Sequence, residues 1–144
     1  VGPMSDETSP VPATALHEFV VRALQSTGVP AHDAAAVAHL MVDADLYGYD
    51  THGVFRLRQY LARLKDGGCN PTAHISIAHE TIATALIDGD NGLGHLAMAR
   101  ARDLAIDKAR VAGIGWVGVK RGNHAGPLAL YIRAQADAGM IGMA

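Results

Sequence analysis

Cysteine is almost absent from this sequence. Cys69 stands alone among 144 residues, so no internal disulfide can form. Its setting, Gly67-Gly68-Cys69-Asn70-Pro71, reads as a turn with no local group to activate a thiol, and Cys69 is read as a bystander. Aromatic residues are scarce as well, with two Phe, four Tyr and one Trp, and no basic stretch interleaves with them. That argues against base stacking, and so against a nucleic-acid partner. A net charge of -2 provides no field for phosphate backbones or an acidic membrane surface. No apolar run approaches the ~18 residues of a membrane span. No secretory leader is visible, and a reducing cytoplasm is the expected compartment. Charged residues are only 18% and hydrophobic ones 49%, which is the balance of a folded chain rather than a disordered one.

What is present is an ordered succession of patterns. Val1-Gly2-Pro3 ahead of Met4 reads as a tag scar, and residues 4–12 read as a loose, proline-rich arm, so 1–12 stand apart from the fold. Leu16, Phe19, Val20, Ala23 and Leu24 recur at helical spacing and predict a first helix from Ala13 to Thr27, stopped by Gly28 and Pro30. Ala34, Val37, Ala38, Met41 and Val42 predict a second over 31–46. A third is expected from Thr51 to Gly67-Gly68, with Asp50 or Thr51 as its N-cap. The period then changes. Residues 75–78 and 82–87 read as two strands paired through His79-Glu80. Asp88 to Gly92 is a turn, and an alanine-rich helix follows from Leu93 or Gly94 to Ala112. Residues 114–120 suggest a strand, 121–126 a loop, and Pro127 the first turn of a helix reaching Ala138. Residues 140–143 look like a further strand beginning.

Two short elements carry the chemistry. Asp50-Thr51-His52-Gly53-Val54-Phe55-Arg56 and Asn123-His124-Ala125-Gly126 each place an imidazole beside glycine. Imidazole exchanges a proton near neutral pH, and guanidinium grips a carboxylate through two parallel hydrogen bonds. On the expected third helix, His52, Arg56, Tyr60 and Arg63 share a face. The face is either a site or a polar solvated stripe with a capping histidine. His124 sits in a loop at the carboxyl end of a strand, where open α/β sheets bind ligands, though a plain turn would look the same. Gly113-Ile114-Gly115-Trp116-Val117-Gly118 matches the dinucleotide fingerprint letter for letter. It is rejected, because a helix precedes it and β-type residues occupy it. His39 and Asp43 lie four apart on the second helix, but two ligands do not make a metal site, so no metal is assigned. Asp43 and Asp45 are near enough in sequence to orient His52 or Arg56. The remaining histidines, His17, His32, His74, His79 and His95, show no ligand-like grouping.

The stretch from Ala44 through Tyr60, with Asp50-Thr51-His52-Gly53-Val54-Phe55-Arg56 at its centre, resembles the signature of the malate/L-lactate dehydrogenase family of the non-Rossmann type. A second match runs from Val117 through Tyr131 around Asn123-His124-Ala125-Gly126. Gly92-x-Gly94 and Ala112-Gly113-Ile114-Gly115 also fall where that family has them. The resemblance implies an NAD- or NADP-dependent oxidoreductase that interconverts small 2-hydroxy and 2-keto acids or reduces a related C=N bond. It implies His52 and His124 as catalytic residues, one or other moving the proton. Arg56 would hold the substrate carboxylate, and Tyr60 and Asn123 would lie at the cofactor side. It further implies a homodimer. This chain departs from the pattern at Tyr47, where arginine is usual, and at Thr51 and Gly122, where serine is usual.

The expected fold class is α/β. A helical N-terminal region with a strand pair occupies 13–112, and 113–144 begin a βαβ nicotinamide-binding domain that is incomplete as it stands. Most of the family's cofactor-binding residues would lie beyond Ala144, in a C-terminal remainder of the enzyme or on a separate chain. Three other readings stay open: a non-catalytic or repurposed relative, an acid–base lyase or cyclase without net hydride transfer, and a metal-dependent enzyme using some of the eight histidines.

Overall fold

The computed structural model describes residues 10–144, so most of the expected N-terminal arm and all of the tag scar lie outside the described residues. Helices α1 (Ala13–Gln25) and α2 (Ala31–Leu46) open the fold. Gly28, at φ +89°, turns the chain between them. Small residues on α2 (Ala34, Ala38 and Ala44, all fully buried) let the two helices approach closely. Val20 and Leu24 from α1 meet Val37 and Met41 from α2, and Leu57, Tyr60 and Leu64 close this core from a third side. Cys69 is buried in the same cluster. Burial also pushes its thiol pKa up, which suits the bystander reading.

The third predicted helix is not continuous. Two 3-10 turns, Asp50–His52 and Val54–Arg56, precede a shorter helix α3, Leu57–Lys65. Neither Asp50 nor Thr51 caps a helix through its side chain. The break falls at Gly53, whose φ of −91° and ψ of −138° are not helical. Asp45 reaches over from α2 and accepts the Val54 N–H through Oδ2 at 3.0 Å. A carboxylate thus replaces a helical carbonyl as acceptor, and His52 and Arg56 stand ahead of α3 rather than on it.

Strands β1 (Ser76–Glu80) and β2 (Thr84–Asp88) pair antiparallel as expected. The turn lies at 81–83, past His79 and Glu80, which remain in the strand. Thr81 and Thr84 close it through a backbone bond and a hydroxyl–hydroxyl contact. Helix α4 (Gly94–Ala112) then crosses to β3 (Trp116–Lys120), which lies parallel to β2 in the order β1-β2-β3. A parallel crossover therefore runs β2–α4–β3, ahead of the strand–loop–helix–strand unit expected over 114–143. Buried Lys108 of α4 donates to Glu80 Oε1 and to the Thr81 carbonyl, tying the hairpin to the helix.

Helix α5 spans Ala129–Asp137. The strand expected at 140–143 does not form. Met140 N–H instead bonds back to the Gln135 carbonyl, with Gly139 at φ +77°, so this segment closes the helix rather than joining the sheet. The rejected fingerprint is likewise structural. Gly113, at φ +78°, ends α4, and a Cβ on Gly115 would overlap the Ala105 carbonyl where β3 leaves the helix.

Candidate active site

The parallel strands β2 and β3 end together, and their C-terminal loops are bonded to each other. Gly89 and Asn91 donate backbone N–H groups to the carbonyls of Lys120 and Arg121. Arg121 also grips Asp88 at 2.7 Å and Asp90 at 3.3 Å. These arginine contacts hold the Asp88 carboxyl well below its ordinary value, at about 2. Asn123 follows in the same seam. Its amide nitrogen donates to Asn91 O, Asn91 Oδ1 and Gly92 O, and its oxygen accepts from Arg63 of α3 at 2.8 Å. The loop carrying His124 is thereby bonded to the β2–α4 turn and to α3.

The first turn of α4 supports that loop from below. A Cβ on Gly94 would overlap the carbonyl oxygen of Asn123, and Gly126 packs on the Nε2 edge of His95. Tyr131 of α5 donates to the Ala125 carbonyl at 2.6 Å.

Above this platform the two histidines meet. The His52 and His124 rings stack with centroids 5.5 Å apart and planes 29° from parallel. His124 Nδ1 lies 2.7 Å from the Tyr60 hydroxyl. His52 Nδ1 lies 2.9 Å from the Thr51 hydroxyl. Arg56 donates through Nε to the Thr51 carbonyl and through Nη1 to Gln59, which leaves Nη2 without a protein partner among the described residues. Tyr60, Cys69, Asn123 and His124 border a cavity of about 20 Å³, room for one water molecule.

The electrostatics favour neutral groups. Burial pushes the Tyr60 hydroxyl up to about 12, against the downward pull of Arg56. Burial, Arg56 and His52 together hold His124 below its ordinary value.

The structure thus brings together His52, His124, Tyr60 and Asn123, with Arg56 near enough for its charge to act on Tyr60 and His124. Sequence reasoning missed His95. It is fully buried, meets Tyr60 edge-on at 5.3 Å, and among the described residues has no hydrogen-bond partner on either nitrogen. Burial, helped by the nearby His124, lowers its pKa to about 3. The only signal was its place in the first helical turn after a glycine-rich loop. Among the described residues no hydrogen bond or ion pair joins Asp43 or Asp45 to His52 or Arg56. Asp43 faces His39 at 3.5 Å, and Asp45 holds the backbone between the two site residues. Tyr47, one of the departures, lies under the Arg133 guanidinium at 4.5 Å.

An α/β crossover thus carries paired imidazoles and a guanidinium at its strand ends, groups able to exchange a proton and to bind an anion. The chain belongs to the malate/L-lactate dehydrogenase family, whose model matches residues 11–144. It is 43% identical over 133 residues to malate dehydrogenase of Pyrococcus abyssi, covering 92% of this chain and 37% of that protein. It is 41% identical over 126 residues to L-sulfolactate dehydrogenase of Methanocaldococcus jannaschii, covering 88% of this chain and 37% of that one. The structure of malate dehydrogenase from Pyrococcus horikoshii superposes with a TM-score of 0.89 at 40% identity, over 96% of this chain and 40% of that chain. The chain therefore spans well under half the length of these relatives.

Proposed function

We propose that this chain forms the acid–base and carboxylate-binding part of an NAD- or NADP-dependent oxidoreductase that interconverts small 2-hydroxy and 2-keto acids or reduces a related C=N bond. The observation that carries this reading is the 5.5 Å stack of His52 on His124, drawn from two segments 72 positions apart in the numbering (124 − 52), beside Arg56. Arg56 would bind the substrate carboxylate, because a planar fork of donors matches its two oxygens. The imidazoles would hold the proton that passes to or from the substrate oxygen. Tyr60 and Asn123 would border the cofactor side, as positioned walls, since protein partners already occupy their polar atoms.

The described residues do not fit a dinucleotide by themselves. Added Cβ atoms at Gly89, Gly92 and Gly94, the glycines nearest the strand ends, would meet Arg121, Ala73 and Asn123 rather than open space. No step through the nicotinamide is assigned to these residues. The cofactor-facing wall would come from the share of the family's length not matched here, as a C-terminal remainder or a companion chain, in a homodimeric cytoplasmic assembly. Among the described residues no helix is long and apolar enough to cross a membrane.

The test is kinetic. The protein is isolated from its source cells with whatever chains copurify. It is assayed for loss of reduced-nicotinamide absorbance against a panel of 2-keto acids and cyclic imino acids. Turnover is expected, with Arg56→Lys raising KM for the acid at least about tenfold. Stoichiometric cofactor binding without turnover would favour the repurposed relative. Turnover with flat nicotinamide absorbance would favour the lyase or cyclase.

A further inference from the structure

We infer that Tyr60 is a positioning residue that locks His124 in the tautomer protonated on Nε2, leaving His52 as the imidazole that exchanges protons. The division of labour rests on the functional reading above; the tautomer rests on geometry alone. Two groups converge on His124 Nδ1: the Tyr60 hydroxyl at 2.7 Å and the Gly126 backbone N–H at 3.3 Å. A backbone N–H can only donate, so a proton on Nδ1 would face it directly. Nδ1 must therefore accept, and the single proton of the neutral ring sits on Nε2. Burial keeps the Tyr60 hydroxyl protonated and able to donate. His95 stands edge-on behind the Tyr60 ring, and Gly126 has no Cβ to displace the His95 Nε2 edge, so both donors are backed by packed structure.

Burial, Arg56 from the second 3-10 turn and His52 from the first oppose a second proton on His124, while Tyr60 from α3 and His95 from α4 complete its surroundings. His124 then works as a fixed Nε2–H donor to the substrate oxygen. His52 is unconstrained in this respect. Its Nδ1 faces only the Thr51 hydroxyl, which can rotate to donate or accept. In the reducing direction, with hydride supplied to the substrate carbon by the reduced nicotinamide and the C=O π pair passing to oxygen, an N–H bond of His52 would break, an O–H bond would form on that oxygen, and solvent would return a proton to the ring.

Nitrogen-15 spectra of histidine-labelled full chain test this without cofactor or turnover. The expected His124 signals are an unprotonated Nδ1 and a protonated Nε2 across neutral pH. Tyr60→Phe keeps the ring and removes one donor; it should shift the His124 tautomer ratio roughly tenfold toward Nδ1–H, about the effect of one hydrogen bond, and leave His52 unmoved. Thr51→Val should perturb His52 alone. A wild-type His124 protonated on Nδ1 at neutral pH overturns the inference even if Tyr60→Phe does not fold. A Tyr60→Phe chain that folds with the tautomer unchanged overturns the role of Tyr60. Either result would leave nicotinamide turnover, and so the oxidoreductase reading, to stand or fall on its own assay.

Discussion

Residues 50–56 and 121–126 face each other across the cleft and are held in different ways. The His124 segment is bonded on three sides, through Asn123 to the β2–α4 turn and α3, and through Ala125 to α5. Beneath it the first turn of α4 presses backbone against backbone at Gly94. The His52 segment consists of two short 3-10 turns with one long-range anchor, the Asp45 carboxylate on the Val54 N–H. Its remaining polar contacts, from Thr51, Arg56 and Gln59, stay within a few residues. One imidazole is thus presented by a rigid platform and the other by a turn with local support.

The largest effect should separate the two glycines that permit these approaches. Gly94→Ala drives a methyl into carbonyl oxygens that cannot move without the whole loop, and a loss of about 3 kcal/mol or more in urea unfolding is expected. Gly53→Ala displaces the end of the Asp45 side chain, which can rotate away at the loss of its bond to the Val54 N–H, and should cost about 2 kcal/mol. Equal costs would break the contrast.

Acid should loosen the rigid side next. Buried His95 stays neutral in the fold down to about 3, whereas the unfolded chain takes up a proton below its ordinary 6.5. The unfolded state then binds more protons, so stability falls as pH drops from 6.5 toward 3 and is flat above that window. The slope is about 1.4 kcal/mol per pH unit inside it. His95→Leu should remove this contribution, read as the difference between the two urea midpoints against pH. An identical pH dependence in the variant would show that His95 is not the group responsible. The smallest effect is expected at Thr51→Val. It should change stability by no more than about 0.5 kcal/mol, measured by thermal unfolding, because its hydroxyl lies at the surface and contacts only the edge of a half-buried ring.

The helices α1, α2 and α4 were legible because their apolar residues keep a 3.6-residue period and glycine or proline marks their limits. The strand pair was legible from β-rich runs around a turn. The stretch 50–65 misled, because the spacing of His52, Arg56, Tyr60 and Arg63 suits a helix while Asp45, from another element, claims the backbone at Val54. The parallel pairing of β2 with β3 was not legible. Nothing local distinguishes a strand that pairs only with a hairpin partner from one that also accepts a parallel neighbour across a helix. His95 was invisible for a related reason: an imidazole in an alanine-rich helix looks solvated until the loop above it is in place.

The chain's local patterns determined where most helices and strands form, and its two glycine–histidine elements marked the segments that carry reactive side chains. Only the tertiary structure decided that those segments stack ring on ring, that Tyr60 faces Nδ1 of His124, and that His95 lies dry beneath them. Periodicity is a property of neighbours along the chain, whereas tautomer, burial and proton affinity are set by groups that arrive from distant elements.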